Sequence, residues 1–511
     1  MHILDEIVEK RQKDIKKYGF EFGIKVPSHR ARSITPFLAK KGTVLEIKRA
    51  SPSKGDIAVQ LDAAHTAEIY SQAGAAAISV LTENHYFKGN LNDLMAVCSA
   101  ADSFAARTGK NAPAILRKDF LLYPEEIDVA YKCGADAVLL IARILDDKML
   151  LAMVKKCREL GICALLELRL DNDLRKLALV VKEFGSENIV CGVNSRDLSN
   201  FTIDLLTPAG MLNEIRRIAG KNASVIFESG IRTPSAAAFA GSMGFAGMLL
   251  GEAAARNPQN ASFLVNAFEN AEATRGAAQW ISFADAVYKK NHSGGIKKPF
   301  VKICGITNTE DALNAAELGA DFLGFIFCAK SPRNVNAQIV RSTREILAGK
   351  SFPLPKIVCV ITECDSDEGR AAIELVKDGT ADFLQLHGKN AVQQFFSDDT
   401  LTSLPHYATV NVSCPADISE IDSLREAGEP RILIDSQVAG KLGGTGRQID
   451  CDLCRMVGEK VKLWLAGGIS IDNISTIMQE LKPELIDINS GVESAPGKKD
   501  IQKLKTFFSQ L

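Results

Sequence analysis

The chain contains no apolar run long enough to cross a bilayer, which takes about 20 consecutive apolar residues; charged residues break every run well before that. It also has no excess of either charge: 61 Lys and Arg against 62 Asp and Glu leave a net charge of −1. That balance removes the electrostatic case for nucleic acid or an anionic membrane as partner. The first residues lack the apolar core of a secretory leader, because Asp5, Glu6, Glu9, Lys10 and Arg11 make them a charged amphipathic segment, and a cytoplasmic protein is expected. The 12 cysteines show no disulfide-framework spacing. Cys163, Cys191 and Cys359 lie inside apolar, strand-like runs, as reduced buried thiols of a cytosolic protein would. Cys451 and Cys454 form a lone C-x-x-C pair, open to a zinc or redox role beside the plainer reading as part of a helix surface.

What is present is globular composition, 46% hydrophobic and 24% charged, with enough apolar mass for large cores. A chain of 511 residues would hold about 3.4 domains of ordinary size, or two barrels of about 250 residues. Residues 3–18 predict a helix with an apolar stripe through Ile3, Leu4, Ile7, Val8 and Ile15. Short apolar runs then alternate with helical patterns, at 44–48, 76–81, 114–117, 137–141, 163–167, 189–193, 225–227 and 247–250. A second octet follows at 300–303, 322–326, 356–360, 383–386, 407–411, 431–434, 463–466 and 485–488. Uninterrupted apolar runs suit parallel strands buried on both faces, so the pattern predicts an α/β fold of two tandem (β/α)8 TIM barrels. Gly74-Ala75-Ala76, Gly134-Ala135-Asp136 and Gly319-Ala320-Asp321 repeat one helix-to-strand joint in both halves. The boundary is placed near Gly295, giving a first barrel over 1–258, its last helix and a linker over 259–297, and a second barrel over 298–511.

Polar residues gather where these strands end. Glu46 and Lys48 are two apart and face one side of a strand. Buried charges are costly unless paired or used, so they form either a structural ion pair or part of a site. Ser51-Pro52-Ser53-Lys54-Gly55 then supplies hydroxyls, loop backbone and a positive charge, suited to a phosphate or to an ordinary turn. Lys118, Glu167, Asn194-Ser195-Arg196, Glu228-Ser229-Gly230 and Gly251 stand at later strand ends. Barrel active sites lie at the carboxyl ends of the strands, and three carboxylates with two lysines there make an acid–base constellation. Ser229, Gly230 and Gly251 fall where barrels commonly hold phosphate.

At this point the first half closely resembles the indole-3-glycerol phosphate synthase family. The resemblance rests on Glu46-Ile47-Lys48-Arg49-Ala50-Ser51-Pro52-Ser53-Lys54-Gly55, Ile115-Leu116-Arg117-Lys118-Asp119-Phe120, Leu165-Leu166-Glu167-Leu168, Gly192-Val193-Asn194-Ser195-Arg196-Asp197-Leu198 and Glu228-Ser229-Gly230-Ile231. It implies closure of a pyrrole ring on a carboxyphenylamino-deoxyribulose phosphate with loss of carbon dioxide and water, without metal or organic cofactor. Lys118 would be the general acid, Glu167 the acid–base residue of dehydration, and Lys48, held by Glu46, would bind and polarise the substrate. Asn194 and Arg196 would face the anthranilate end, Ser51 and Glu228 would line the pocket, and Ser229, Gly230 and Gly251 would hold phosphate. Glu252 stands where the resemblance leads one to expect serine, a carboxylate that would repel phosphate unless it points away.

In the second half, Cys304 ends the first strand and shares a face with Lys302. Such a thiol becomes a base if a positive charge lowers its pKa, and is otherwise a buried structural cysteine. Gln385 and His387 end the fourth strand and Asp435 the sixth; Gly443-Gly444-Thr445-Gly446, Gly467-Gly468 and Asn489-Ser490-Gly491 offer backbone N–H groups to phosphate. These residues resemble the phosphoribosylanthranilate isomerase family over roughly 298–511. The resemblance makes Cys304 the general base and Asp435 the general acid of an Amadori rearrangement. Arg333, with Gln385 and His387, would take the anthranilate carboxylate; Gly443, Gly444, Thr445, Gly467, Gly468, Ser490 and Gly491 would take phosphate. Thr409-Val410-Asn411 lacks the basic residue expected at the fifth strand end.

The two implied reactions are consecutive, so the expectation is a bifunctional tryptophan-biosynthesis enzyme, a cytoplasmic monomer acting on small phosphosugar-anthranilate substrates with no cofactor. Two rivals are a pair of histidine-pathway isomerase barrels, which would use paired aspartates instead of Cys304 with Asp435, and a protein in which one barrel only binds a phosphate ligand.

Overall fold

The computed structural model describes residues 3–52, 54–196, 202–292, 298–435 and 451–511. The chain divides into two compact units, Met1–Ala273 and Thr274–Leu511.

The first unit is a closed parallel barrel of β1 (Gly42–Ile47), β2 (Ala77–Leu81), β3 (Ala114–Lys118), β4 (Ala137–Ile141), β5 (Cys163–Leu168), β6 (Ile189–Asn194), β7 (Val225–Glu228) and β8 (Gly247–Leu250). β1 pairs with both β2 and β8, which removes the sheet edges. Helices cover the outside while side chains such as Val44, Leu116, Leu165 and Ile226 fill the core, so the strands are buried on both faces and read as unbroken apolar runs.

The repeated joint has a clear geometry. Gly74, Gly134 and Gly319 adopt φ of 93°, 103° and 100°, a left-handed helix end that glycine reaches without strain. After Gly134 and Gly319, the aspartate two residues on laces the strands together at their amino ends. Asp136 accepts the Ile115 N–H at 2.8 Å and Asp321 accepts that of Val301 at 2.8 Å. Asp382, in Thr380-Ala381-Asp382, accepts from Ile357 at 2.8 Å in the same way.

The expected amino-terminal helix spans Ile3–Tyr18. Its buried Arg11 donates to Asp119 at 2.8 Å and to Glu126, while Asp119 also pairs with Arg117 at 3.2 Å. A buried guanidinium shared between two carboxylates is compensated, and it fixes this helix beside the end of β3.

The second unit closes β9 (Phe300–Ile303), β10 (Phe322–Phe327), β11 (Lys356–Ile361), β12 (Phe383–His387), β13 (His406–Asn411), β14 (Ile432–Asp435), β15 (Trp464–Ala466) and β16 (Leu485–Ile488) into another parallel barrel. Residues approaching the expected linker form a helix, Arg275–His292, of this unit. Trp280 packs on Phe383 with ring centroids 5.2 Å apart and Phe283 on Phe300 at 5.0 Å. Both partners are first residues of their strands, so the aromatic cluster plugs the amino end of the barrel. Gly295 lies outside the described residues. All twelve cysteines are free thiols. Cys451 and Cys454 open the helix Cys451–Gly458. Among the described residues no cluster of metal-ligating side chains occurs, and no helix is long and apolar enough to cross a membrane.

Candidate active sites

The carboxyl ends of β1–β8 surround a cavity lined by Glu46, Lys48, Ser51, Lys118, Glu167, Asn194, Arg196, Ser229, Gly230 and Gly251. At its floor the Glu46 carboxylate, 1% exposed, bridges two ammonium groups. Lys118 Nζ lies 3.1 Å from one oxygen and Lys48 Nζ 3.2 Å from the other. Burial alone would raise this carboxyl, but the two lysines hold its pKa at about 2. Gly251 leaves the space, since a Cβ there would stand 2.7 Å from Glu46 Oε1.

Lys118 is itself poised. Burial opposes its charge, yet Glu46, Glu228 and Glu167 together raise its pKa, so the ammonium form persists. Burial raises Glu167 despite the nearby Lys118. Glu228 does not reach the cavity lining; it is 1% exposed beneath it, 3.8 Å from Lys118, and neither carboxylate oxygen has a hydrogen-bond partner. Burial and the neighbouring Glu167 push its pKa to about 8, so it carries a proton at neutral pH. The opposing strand yields to it, because a Cβ on Gly192 would lie 2.0 Å from Glu228 Oε1.

On the anion side, Ser229 and Gly230 both have positive φ, 70° and 83°. Left-handed backbone at a non-glycine residue costs about 1–3 kcal/mol and gathers at ligand-holding turns. Glu252 follows Gly251, and its charge is offset. Arg256 lies 3.2 Å and Arg232 3.6 Å from it, and they hold its pKa low against burial. Arg232 lines the cavity and was missed from sequence, although it follows Ser229-Gly230-Ile231 directly. Leu4, Ile7, Phe87 and Phe120 supply an apolar wall suited to an aromatic ring.

The second cavity, at the carboxyl ends of β9–β16, is lined by Cys304, Arg333, Gln385, His387, Asp435, Gly467, Gly468 and Ser490. Gly443, Gly444 and Thr445 lie outside the described residues. Gly491 is not in the lining; it packs against the β15 loop, where a Cβ would meet the Ile469 carbonyl oxygen at 2.1 Å. Burial and Asp487 raise the Asp435 carboxyl to about 7, which makes it a proton donor near neutrality. His387 Nε2 lies 4.0 Å from Asp435, and burial, aided by Lys302, lowers its pKa toward the neutral ring. Burial pushes the Cys304 thiol up while Lys302, 3.6 Å from Sγ, pulls it down. At the end of β13, Asn411 pairs in register with Asp435 and Thr409 is buried, so Thr409-Val410-Asn411 offers no cation.

Asp487, Glu493 and Lys499 were also missed. Glu493 accepts from Arg333 Nε at 2.9 Å and Nη2 at 2.7 Å, and Lys499 lies 3.0 Å from Glu493. Glu493 and Lys499 lie on the small hairpin after β16, with no apolar period to announce them.

Comparison with known proteins shows the family. The family described as indole-3-glycerol phosphate synthase matches residues 4–266, and that described as N-(5'-phosphoribosyl)anthranilate isomerase matches residues 301–510. A multifunctional tryptophan biosynthesis protein of Schizosaccharomyces pombe is 32% identical over 499 residues; the match covers 92% of this chain but 59% of that protein's length. The tryptophan biosynthesis protein TrpCF of Vibrio parahaemolyticus is 32% identical over 470 residues, covering 91% of this chain and 83% of that protein. Among solved structures, a phosphoribosyl anthranilate isomerase from Thermotoga maritima is 28% identical and covers 42% of this chain and 98% of its own, with a TM-score of 0.35. The chain belongs to the family of bifunctional tryptophan-biosynthesis proteins, joining an indole-3-glycerol phosphate synthase unit to a phosphoribosylanthranilate isomerase unit.

Proposed function

We propose that the second barrel isomerises N-(5-phosphoribosyl)anthranilate to 1-(2-carboxyphenylamino)-1-deoxyribulose 5-phosphate, and that the first converts this product to indole-3-glycerol phosphate. The observation that carries the reading is a separate acid and base in each cavity: Asp435 with Cys304, and Lys118 with Glu167. A barrel kept only to bind phosphate would have no use for a carboxyl retaining its proton to about pH 7 in the same cavity as a thiol.

In the second barrel, Asp435 gives its proton to the ribose ring oxygen, the C1–O bond breaks, and an iminium forms. The Cys304 thiolate removes the C2 proton; the resulting enol becomes the ketone. Arg333, with Gln385 and His387, takes the anthranilate carboxylate, and Gly467, Gly468 and Ser490, together with the loop of Gly443, Gly444 and Thr445, hold phosphate.

In the first barrel, Lys118 hydrogen-bonds the ketone oxygen and protonates it as the anthranilate ring carbon attacks. Loss of carbon dioxide restores the aromatic ring, and Glu167 moves the protons that release water. Lys48 polarises the same oxygen, Glu46 fixes both ammonium groups, and the protonated Glu228 beneath them keeps the floor from gathering excess negative charge. Ser229, Gly230 and Gly251 hold the phosphate, Ser51 lines the pocket, and Asn194 and Arg196 face the anthranilate end. On this reading the protein is a cytoplasmic monomer with its barrels over 1–258 and 298–511, needing no cofactor.

The test is the two-step assay from phosphoribosylanthranilate, followed by fluorescence and carbon dioxide release. Lys118→Ala abolishes only the second step and Cys304→Ala only the first, each by about 10²-fold or more. Loss of both steps in either variant refutes the two-site assignment.

A further inference from the structure

Lys302 takes part in no step above, yet among the described residues its ammonium is the most enclosed charge of the second barrel. The side chain is 0% exposed. Its three hydrogens meet three acceptors: Asp487 Oδ2 at 2.6 Å, Gln385 Oε1, and Cys304 Sγ at 3.6 Å. Tyr407 donates to the same Gln385 oxygen at 3.1 Å, so the amide cannot turn away. Across from them Gly324 leaves room, since a Cβ there would lie 2.7 Å from Cys304 Sγ and 2.9 Å from Lys302 Cε.

We propose that Lys302 is the positioning residue of the isomerase base, holding the Cys304 sulfur in place and stabilising it as thiolate, with Asp487 and Gln385 fixing the ammonium. The inference rests on the isomerase reading of this cavity. A thiolate on a desolvated barrel floor is costly unless a cation touches it. The other groups around the sulfur do not serve. Lys499 and Arg333 are both engaged by Glu493, and Asp487 opposes a negative sulfur. Asp435 is a carboxyl and supplies no positive charge, His387 is biased to its neutral ring, and Tyr407 stays a phenol because burial raises its pKa. Burial still pushes the thiol above its ordinary pKa with Lys302 present. Lys302 therefore limits that rise, and the reactive thiolate is the less populated form at neutral pH.

The experiment measures, in the full-length protein, the pH at which iodoacetamide alkylates Cys304 at half its maximal rate, read on the Cys304 peptide by mass spectrometry. Lys302→Met raises that pH by about one to three units. It lowers isomerase kcat about tenfold for each unit, with KM changed less than about twofold. Lys302→Met strands the buried Asp487, so Lys302→Met/Asp487→Asn, which removes both charges, is measured beside it, with tryptophan fluorescence reporting the fold of this unit. A raised alkylation pH in the folded double variant supports the role; a pH equal to that of the parent overturns it. Parent protein that does not turn over phosphoribosylanthranilate would defeat the isomerase reading instead, and the alkylation shift is scored independently of turnover.

Discussion

Glu493 already holds the guanidinium of Arg333, accepting from Nε at 2.9 Å and from Nη2 at 2.7 Å. Arg333 is the residue that the family resemblance gives to the anthranilate carboxylate, and a protein carboxylate holds one edge of it. Glu493 is 6% exposed, and Lys499 and the Gly497 N–H also donate to it. It is therefore a fixed support and not a mobile competitor for Arg333, which lines the cavity. Glu493→Gln should raise the KM of the isomerase about tenfold and change kcat less, because a mispositioned guanidinium weakens ground-state and transition-state binding alike. Steady-state kinetics decides it; a lower KM would show that Glu493 competes with substrate.

The isomerase should show an unusual pH profile. Its acid ionises at about 7 and its thiol higher. Below about pH 7 the acid stays protonated while thiolate grows with pH, so kcat/KM rises; above it, gain of thiolate and loss of acid cancel, and the profile levels. A kcat/KM that continues to rise past about pH 8 would contradict the Asp435 assignment.

Two glycines make room for a side chain of each site. A Cβ on Gly324 would lie 2.7 Å from Cys304 Sγ, and one on Gly192 would lie 2.0 Å from Glu228 Oε1. Gly324→Ala should destabilise the second unit by about 1–3 kcal/mol and cut only isomerase activity. Gly192→Ala should cut only synthase activity. Separate assays of the two steps test this, and equal loss of both activities in either variant would count against it.

Stability of the second unit should depend on a buried histidine. Burial disfavours the His406 cation, but Glu429, 2.9 Å from Nε2, and the Leu404 carbonyl raise its pKa above the ordinary value. A raised cationic pKa stabilises the folded state fully below the unfolded value of about 6.5, and the contribution is lost as pH rises through the higher folded value. Both tryptophans, Trp280 and Trp464, are buried in this unit, so their fluorescence follows its unfolding alone. Urea midpoints should fall from about pH 6 upward, and His406→Gln should flatten that dependence.

All sixteen expected strands occur, displaced at their ends by no more than two residues, as do the helix over Ile3–Tyr18 and the left-handed Gly-Ala joints. These were legible because a parallel strand covered on both faces must be apolar throughout, and because its carboxyl end is where polar chemistry collects. Candidate site residues were legible as polar groups at or near the strand ends, whereas their acid, base and binding roles came from the resemblance to the two families. The tertiary structure decided which charges meet. Lys302 and Asp487 are 185 residues apart and Arg333 and Glu493 are 160 apart, and no local period links either pair. It also decided that Glu228 lies beneath the cavity, that Gly491 serves packing, and that Glu252 is neutralised by Arg232 and Arg256. Strand burial follows from local composition, whereas an ionisable group's proton affinity depends on which distant residues barrel closure brings within a few ångströms and on how much water it excludes.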